Sequence, residues 1–327
     1  MDVNAFIHDK QPTWRRLEAL LVQIDGSGLG GLDVDDAREF ANLYRSVSSD
    51  LVRARSLTGN PELLGYLNGL VGRAYAHIYA TKRFGLGRLW RFFAVDYPRL
   101  VRSEIRAIAF STAIFFAGSL FGAGAMLVDP DAGAYLLIDY HRNVDPSDRV
   151  AEEAQKGGMA PDRQAQFSTF LFTHNIQVTF LVFVLGLSFG VGTFVALFVN
   201  GLYLGSLAVN YHLDGVGTFF WAWILPHGVP ELTAIFIAGG AGFIIARVLW
   251  NPGRRTRSAA LKLHAGRAVK LILGTAPILV VAGLIEGTIS QMHPPLMPYW
   301  IKLLVAATMA VLLVLYLGFA GRKKGAT

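Results

Sequence analysis

The sequence predicts an all-α, polytopic membrane protein, with about six transmembrane helices behind a helical cytoplasmic domain. Three observations carry that prediction. Hydrophobic residues fill 53% of the 327 positions and charged residues only 16%, against about 25% charged in an ordinary soluble domain. The charge lies in islands: before Arg106, and within residues 129–163, 247–270 and 322–324. Between the islands run apolar stretches of roughly 20 residues, enough to cross a hydrocarbon core of about 30 Å.

Residues 1–106 read as cytoplasmic helices. The first covers about residues 13–24, with Trp14, Leu17, Leu20 and Leu21 on one face. A glycine-rich break, residues 26–31, follows. Asp33 then caps a helix over 34–55, whose stripe holds Phe40, Leu43, Tyr44, Val47 and Leu51. Asn60-Pro61 opens a third helix with proline in its first turn. Residues 84–100 mix Leu89, Trp90, Phe92, Phe93 and Tyr97 with Arg88, Arg91 and Arg99. That mixture suits a helix lying in the membrane surface.

The predicted spans are 107–128, 167–189, 191–210, an interrupted 216–250, 271–290 and 300–320, with 321–327 as a basic tail. Arg99, Arg102 and Arg106 precede the first span, six Lys and Arg residues separate the fourth from the fifth, and Arg322, Lys323 and Lys324 follow the sixth. The alternate loops are acidic, or lack Lys and Arg altogether. The positive-inside rule then places both termini in the cytoplasm of a cell with an inner membrane. The net charge of +7 reads as this loop bias and not as a nucleic-acid footprint, because it flanks apolar spans. There are no cysteines, which excludes disulfides and thiolate metal sites.

Polar groups inside a span are costly and mark function by default. With a rise of about 1.5 Å per residue, His174, Asn175 and Gln177 of the second span, Asn200 of the third, and Pro226, His227, Pro230 and Glu231 of the fourth fall in one mid-membrane layer. Two prolines four residues apart are expected to break the fourth span there, which lipid tolerates only where protein or a cavity satisfies the freed backbone groups. His227 and Glu231 would share a face and could share a proton or hold a cation. The plainer alternative is that these groups only hydrogen-bond helices together. Glu286 is expected nearer the outer face, either interfacial or functional, and Lys302 is expected to snorkel to the outer surface.

Glycines at helix-packing spacing, Gly186…Gly190 and Gly201…Gly205 among them, allow close helix approach, within the chain or across a dimer seam. The stretch 26–31 matches G-x-G-x-x-G without a βαβ unit, and Gly186-Leu187-Ser188-Phe189-Gly190 matches G-x-S-x-G at the end of a membrane helix instead of a strand-to-helix turn. Neither supports an enzyme, and no cofactor or metal is expected.

At these motifs the sequence resembles the stage II sporulation protein M family. The residues that carry the resemblance are His174-Asn175, Gly190-Val191-Gly192-Thr193, Asn200-Gly201-Leu202-Tyr203-Leu204-Gly205 and Ile224-Leu225-Pro226-His227-Gly228-Val229-Pro230-Glu231-Leu232. That core covers about residues 167–249. Trp14-Arg15-Arg16-Leu17-Glu18, Leu43-Tyr44-Arg45 and Asp50-Leu51 resemble the family's longer members. The resemblance implies a membrane anchor for an envelope-remodelling complex, with MoxR-type ATPases or envelope proteins as partners, and it supplies no catalytic residues. The leading expectation is therefore a non-enzymatic membrane scaffold, in a homo-oligomer with a dimer favoured. The alternatives are a transporter or channel-like protein acting through His227 and Glu231, and an intramembrane metal-dependent enzyme built from His174, His227 and Glu231.

Overall fold

The computed structural model describes residues 3–79, 85–137, 139–156, 161–292, 294 and 296–322, with backbone alone for 130, 139–140, 152–156 and 161–172. The tail lysines Lys323 and Lys324 and the side chains of Glu152 and Glu153 lie outside the described residues. Every regular element among the described residues is helical. The chain divides into two compact units, Met1–Gly85 and Leu86–Thr327.

The first unit packs α1 (Val3–Ser27), α2 (Val34–Leu57) and α3 (Pro61–Ile78) around one core. The α1 stripe Trp14, Leu17, Leu21 and Ile24 recurs every three or four residues, so it faces one way and is buried against Phe40, Val47, Leu67 and Leu70. Caps fix the helix starts. Asp33 Oδ1 accepts the Asp36 amide at 2.7 Å, and Asn60 Oδ1 accepts the Glu62 amide at 2.9 Å. Buried Asp50 is satisfied by the Trp14 indole N–H at 2.9 Å. At the rim, Asp25 receives Arg73 at 2.5 Å and pairs with His77 at 2.6 Å.

The second unit begins with α4 (Leu86–Arg91), a π-helical turn (Phe92–Asp96) and α5 (Tyr97–Ser103). Pro98 supplies no amide, so the carbonyl of Ala94 loses its α-helical donor and the turn widens locally. Then come α6 (Ile105–Val128), α7 (Gly133–Leu136), α8 (Asp139–Arg142), α9 (Pro146–Lys156), α10 (Pro161–Val184), α11 (Val191–Leu213), α12 (Gly217–Trp250), α13 (Arg257–Gly287) and α14 (Tyr299–Phe319). Five of these, α6, α11, α12, α13 with its following turn, and α14, are long and apolar enough to cross a membrane. The described apolar stretch of α10, Thr173–Ser188, is shorter.

At the centre lies α12, with 72% of its apolar window buried against 11% for α14. Its glycine run explains the position. A side chain at Gly239 would meet Ser111 and Leu197, one at Gly240 would meet Ile108, and one at Gly242 would meet Thr193 and the Val182 carbonyl. Backbone can therefore approach backbone from three sides, as membrane helices require in the absence of a water-driven apolar effect. The α6–α11 pair uses the same device reciprocally. Gly118 and Gly122 face the backbone of Phe198 and Leu202, while Gly201 and Gly205 face that of Phe115 and Ser119. Gly186 sits on Gly242 and Gly190 on Ala246, so all four glycines read as packing residues do pack, inside one chain.

The expected break at Pro226–Pro230 is absent. The helix runs unbroken for 34 residues from Gly217 to Trp250. A proline costs one helical hydrogen bond, to the carbonyl four residues back. With spacing of four, both missing bonds fall on one strip, at Ala222 and Pro226, and the rest of the ladder stays intact. Neighbouring helices on every side then hold the helix together.

Two outcomes are expected. Gly201→Leu should drive a side chain into the Phe115 carbonyl and lower stability by about 1–3 kcal/mol, whereas Gly124→Ala, in open space, should leave the melting temperature in detergent unchanged. Hydrogen bonds from Arg73 and His77 hold Asp25 below its ordinary pKa of 3.8. Its contribution to the first unit is present above that pH and lost as pH falls through the lower folded value. Acid denaturation of Asp25→Asn, followed by circular dichroism, should be correspondingly less steep there.

Candidate functional site

His227 and Glu231 lie one helical turn apart on α12, and both are 7% exposed. They face protein, not lipid. His227 Nδ1 shares a hydrogen bond with Ser290 Oγ at 2.8 Å. Ser290 belongs to a short 3₁₀ turn, Ile289–Gln291, that ends α13. The Asn175 side chain of α10 donates to the Glu231 carboxylate. Glu286, one turn before Ser290, is 1% exposed and lies within electrostatic range of Glu231. Lys302, in the first turn of α14, is fully buried. Its Nζ donates to the Ser290 carbonyl at 2.9 Å, within electrostatic range of His227. Four helices thus contribute two carboxylates, an imidazole, an ammonium and an amide to one cluster.

The 3₁₀ turn is what lets α13 join. A helix continuing past Gly287 would keep its carbonyls inside its own ladder. The tighter turn frees the Ser290 carbonyl for Lys302 and the Ser290 hydroxyl for His227. Two buried atoms here have no hydrogen-bond partner among the described residues: Glu286 Oε2, an acceptor, and Gln291 Nε2, a donor.

The residues predicted from sequence divide. His227, Glu231 and Asn175 meet in the cluster. Pro226 and Pro230 are buried on the same helix and shape its hydrogen-bond ladder without opening it. His174 and Gln177 are exposed. Asn200 is half-buried and donates to the Ala196 carbonyl of its own helix at 2.7 Å, so it is not brought to the cluster. Lys302 does not snorkel: its ammonium turns inward to the Ser290 carbonyl. Ser290 and Gln291 escaped the sequence reading, since serine and glutamine at a helix end look like ordinary boundary residues. The signal available was Glu286 preceding them on one apolar span, with Lys302 opening the next.

The other motifs find structural uses. Ser188 donates to the Leu185 carbonyl at 2.6 Å and accepts the Gly192 amide at 2.8 Å. It thereby ties the turn between α10 and α11, where Phe189 and Gly190 both take positive φ. Among the described residues, no three His, Asp or Glu side chains converge as metal ligands would.

Lys302→Met, which keeps the length and removes the ammonium, should destabilise the protein by about 1–3 kcal/mol, because the buried Ser290 carbonyl loses its donor. Thermal unfolding of the parent and the variant in detergent measures the loss.

Residues 111–291, over half of the chain, match the family model described as stage II sporulation protein M. Residues 4–80 match a domain of unknown function, DUF8413. A stretch of 86 residues is 37% identical to the uncharacterized protein MJ0793 of Methanocaldococcus jannaschii, covering 26% of this chain and 48% of that protein. The chain therefore spans about half the length of that curated relative. No solved structure matches. With the core match running from α6 to the turn that carries Ser290, the chain belongs to the stage II sporulation protein M family of membrane proteins, in a long form with an extra N-terminal helical domain.

Proposed function

We propose that this protein moves a proton or a small monovalent cation across the membrane, using Glu231 and Glu286 as the exchanging groups. The observation that supports this reading is the composition of the buried cluster. Two carboxylates, Glu231 and Glu286, lie within electrostatic range of each other, so with both ionised the site carries like negative charges side by side. An unmatched charge in a low-dielectric interior costs several kcal/mol, and a bound proton or cation relieves the repulsion between the two. Glu286 Oε2, buried and without a partner among the described residues, offers a place for that cation, and His227 offers a second proton carrier one turn from Glu231. A purely scaffolding protein has no use for such a cluster, since apolar packing would hold the helices as well.

A docking role is compatible and has its own support. The first unit has a core of its own, as a platform for a soluble partner would. In this reading Met1–Gly85 lies in the cytoplasm beneath an inner membrane. Both termini are on that side, following the Lys and Arg bias of the loops, and a MoxR-type ATPase or an envelope protein is the partner. A homo-oligomer would use a face other than the glycine seams, which are filled within the chain. No covalent chemistry is assigned to the cluster.

The test is reconstitution into liposomes with an internal pH dye and an imposed potential. Glu231→Gln and Glu286→Gln should each cut cation or proton flux at least tenfold while keeping the elution profile and melting behaviour of the parent. His227→Gln should shift the pH dependence of the flux. Parental protein that passes no ions in either direction, across monovalent cations and protons, would reject the transport reading and leave the docking role.

A further inference from the structure

Beside α12 lies an apolar groove of about 440 Å³, lined by Trp90, Phe93, Pro230, Val281 and Met309 among others and by none of the charged residues of the polar cluster. Its size falls within the range of about 300–1,000 Å³ typical of small-ligand sites. We infer that it is a binding site for one acyl chain of an anionic phospholipid, whose headgroup lies against Arg88 and Arg91.

The groove runs between α13 and α14, helices apolar enough to cross the membrane, and α14 is the least buried of the five. Its lining is almost wholly apolar, and Pro230 presents no amide to it. Such a groove in lipid is filled by something without hydrogen bonds to make, which fits an acyl chain and excludes a polar solute.

The entrance is different. Residues 86–103 carry four arginines against one aspartate, Asp96. Arg88 and Arg91 are exposed and three apart, so they share one side of the short helix, while Trp90, Phe93 and Ala94 line the groove. Trp90, 76% exposed, has the amphipathic ring that favours the headgroup layer. The Tyr316 hydroxyl, donating to the Phe93 carbonyl at 2.8 Å, and Arg102, donating to the Leu317 and Ala320 carbonyls, pin this segment to the end of α14. The basic rim is thereby fixed above the apolar slot. Acyl chains gain nothing by leaving bulk lipid for the groove, so selection must come from the rim, where each arginine near an anionic surface favours binding about fivefold. A second copy of the chain fits less well, since an isologous contact on this face would bring like charges together.

Trp90 supplies the readout. The full-length protein, in nanodiscs of phosphatidylcholine with increasing phosphatidylglycerol, is compared with acyl-brominated versions of either lipid. Quenching of Trp90 is taken as the difference from Trp90→Phe. Brominated phosphatidylglycerol should quench in a saturating way at low mole fraction, and brominated phosphatidylcholine only in proportion to its share. Arg88→Gln with Arg91→Gln should weaken the phosphatidylglycerol response on the order of tenfold or more. Leu312→Trp, or Val281→Phe where the added tryptophan complicates the signal, should abolish saturation by filling the slot. Proportional quenching by both lipids would overturn the inference in favour of ordinary boundary lipid. Saturation without headgroup preference would overturn its anionic part. Protection from both lipids would overturn it in favour of a second copy on this face.

Discussion

A lysine and two glutamates placed away from water cannot stand singly, and the second unit is organised by that constraint. Glu231 lies in the middle of α12 and Glu286 near the end of α13, within electrostatic range of each other, while Lys302 opens α14 and reaches the Ser290 carbonyl beside His227, so three helices converge on one polar region. The turn at Ile289–Gln291 completes the convergence by offering the Ser290 carbonyl to Lys302 and the Ser290 hydroxyl to His227. What holds the helices in register there is not apolar packing alone.

Close approach is the second requirement, and glycine meets it. Without water to drive apolar surfaces together, helices in lipid gain from backbone proximity. The α6–α11 seam and the run Gly239-Gly240-Ala241-Gly242 supply that proximity and bring α6, α10 and α11 against α12. Asn175 owes its position to this arrangement. The same α10 that reaches α12 through Val182 near Gly242 delivers Asn175 to Glu231 farther along. The polar cluster and the glycine seams are thus two ends of one packing solution.

The two prolines show how far a local rule extends. In an isolated segment each would end or kink the helix. Here both lost hydrogen bonds lie on one strip of a helix enclosed by others, and the chain continues as one helix. Pro230 still matters, because its ring and its missing amide leave an apolar surface beside the α13–α14 groove.

Membrane class, the helix stripes and caps of the N-terminal unit, and the family were all legible in the sequence, because each depends on local composition and spacing. Twenty apolar residues, an Asp33 before a helical stripe, or a Pro-His-Gly…Pro-Glu motif keep their meaning wherever they stand. His227 and Glu231 could be singled out for the same reason, since an ionisable group in an apolar run is conspicuous by itself. What the tertiary structure decided was which groups meet. Asn200 turned to its own helix, Lys302 went inward and Ser290 became a hub. Those outcomes depend on interhelical distances of a few ångströms, which side-chain periodicity along one helix does not encode. The continuity of α12 was decided in the same way: a proline's effect depends on what surrounds the bond it removes, and the sequence names the proline without naming its surroundings.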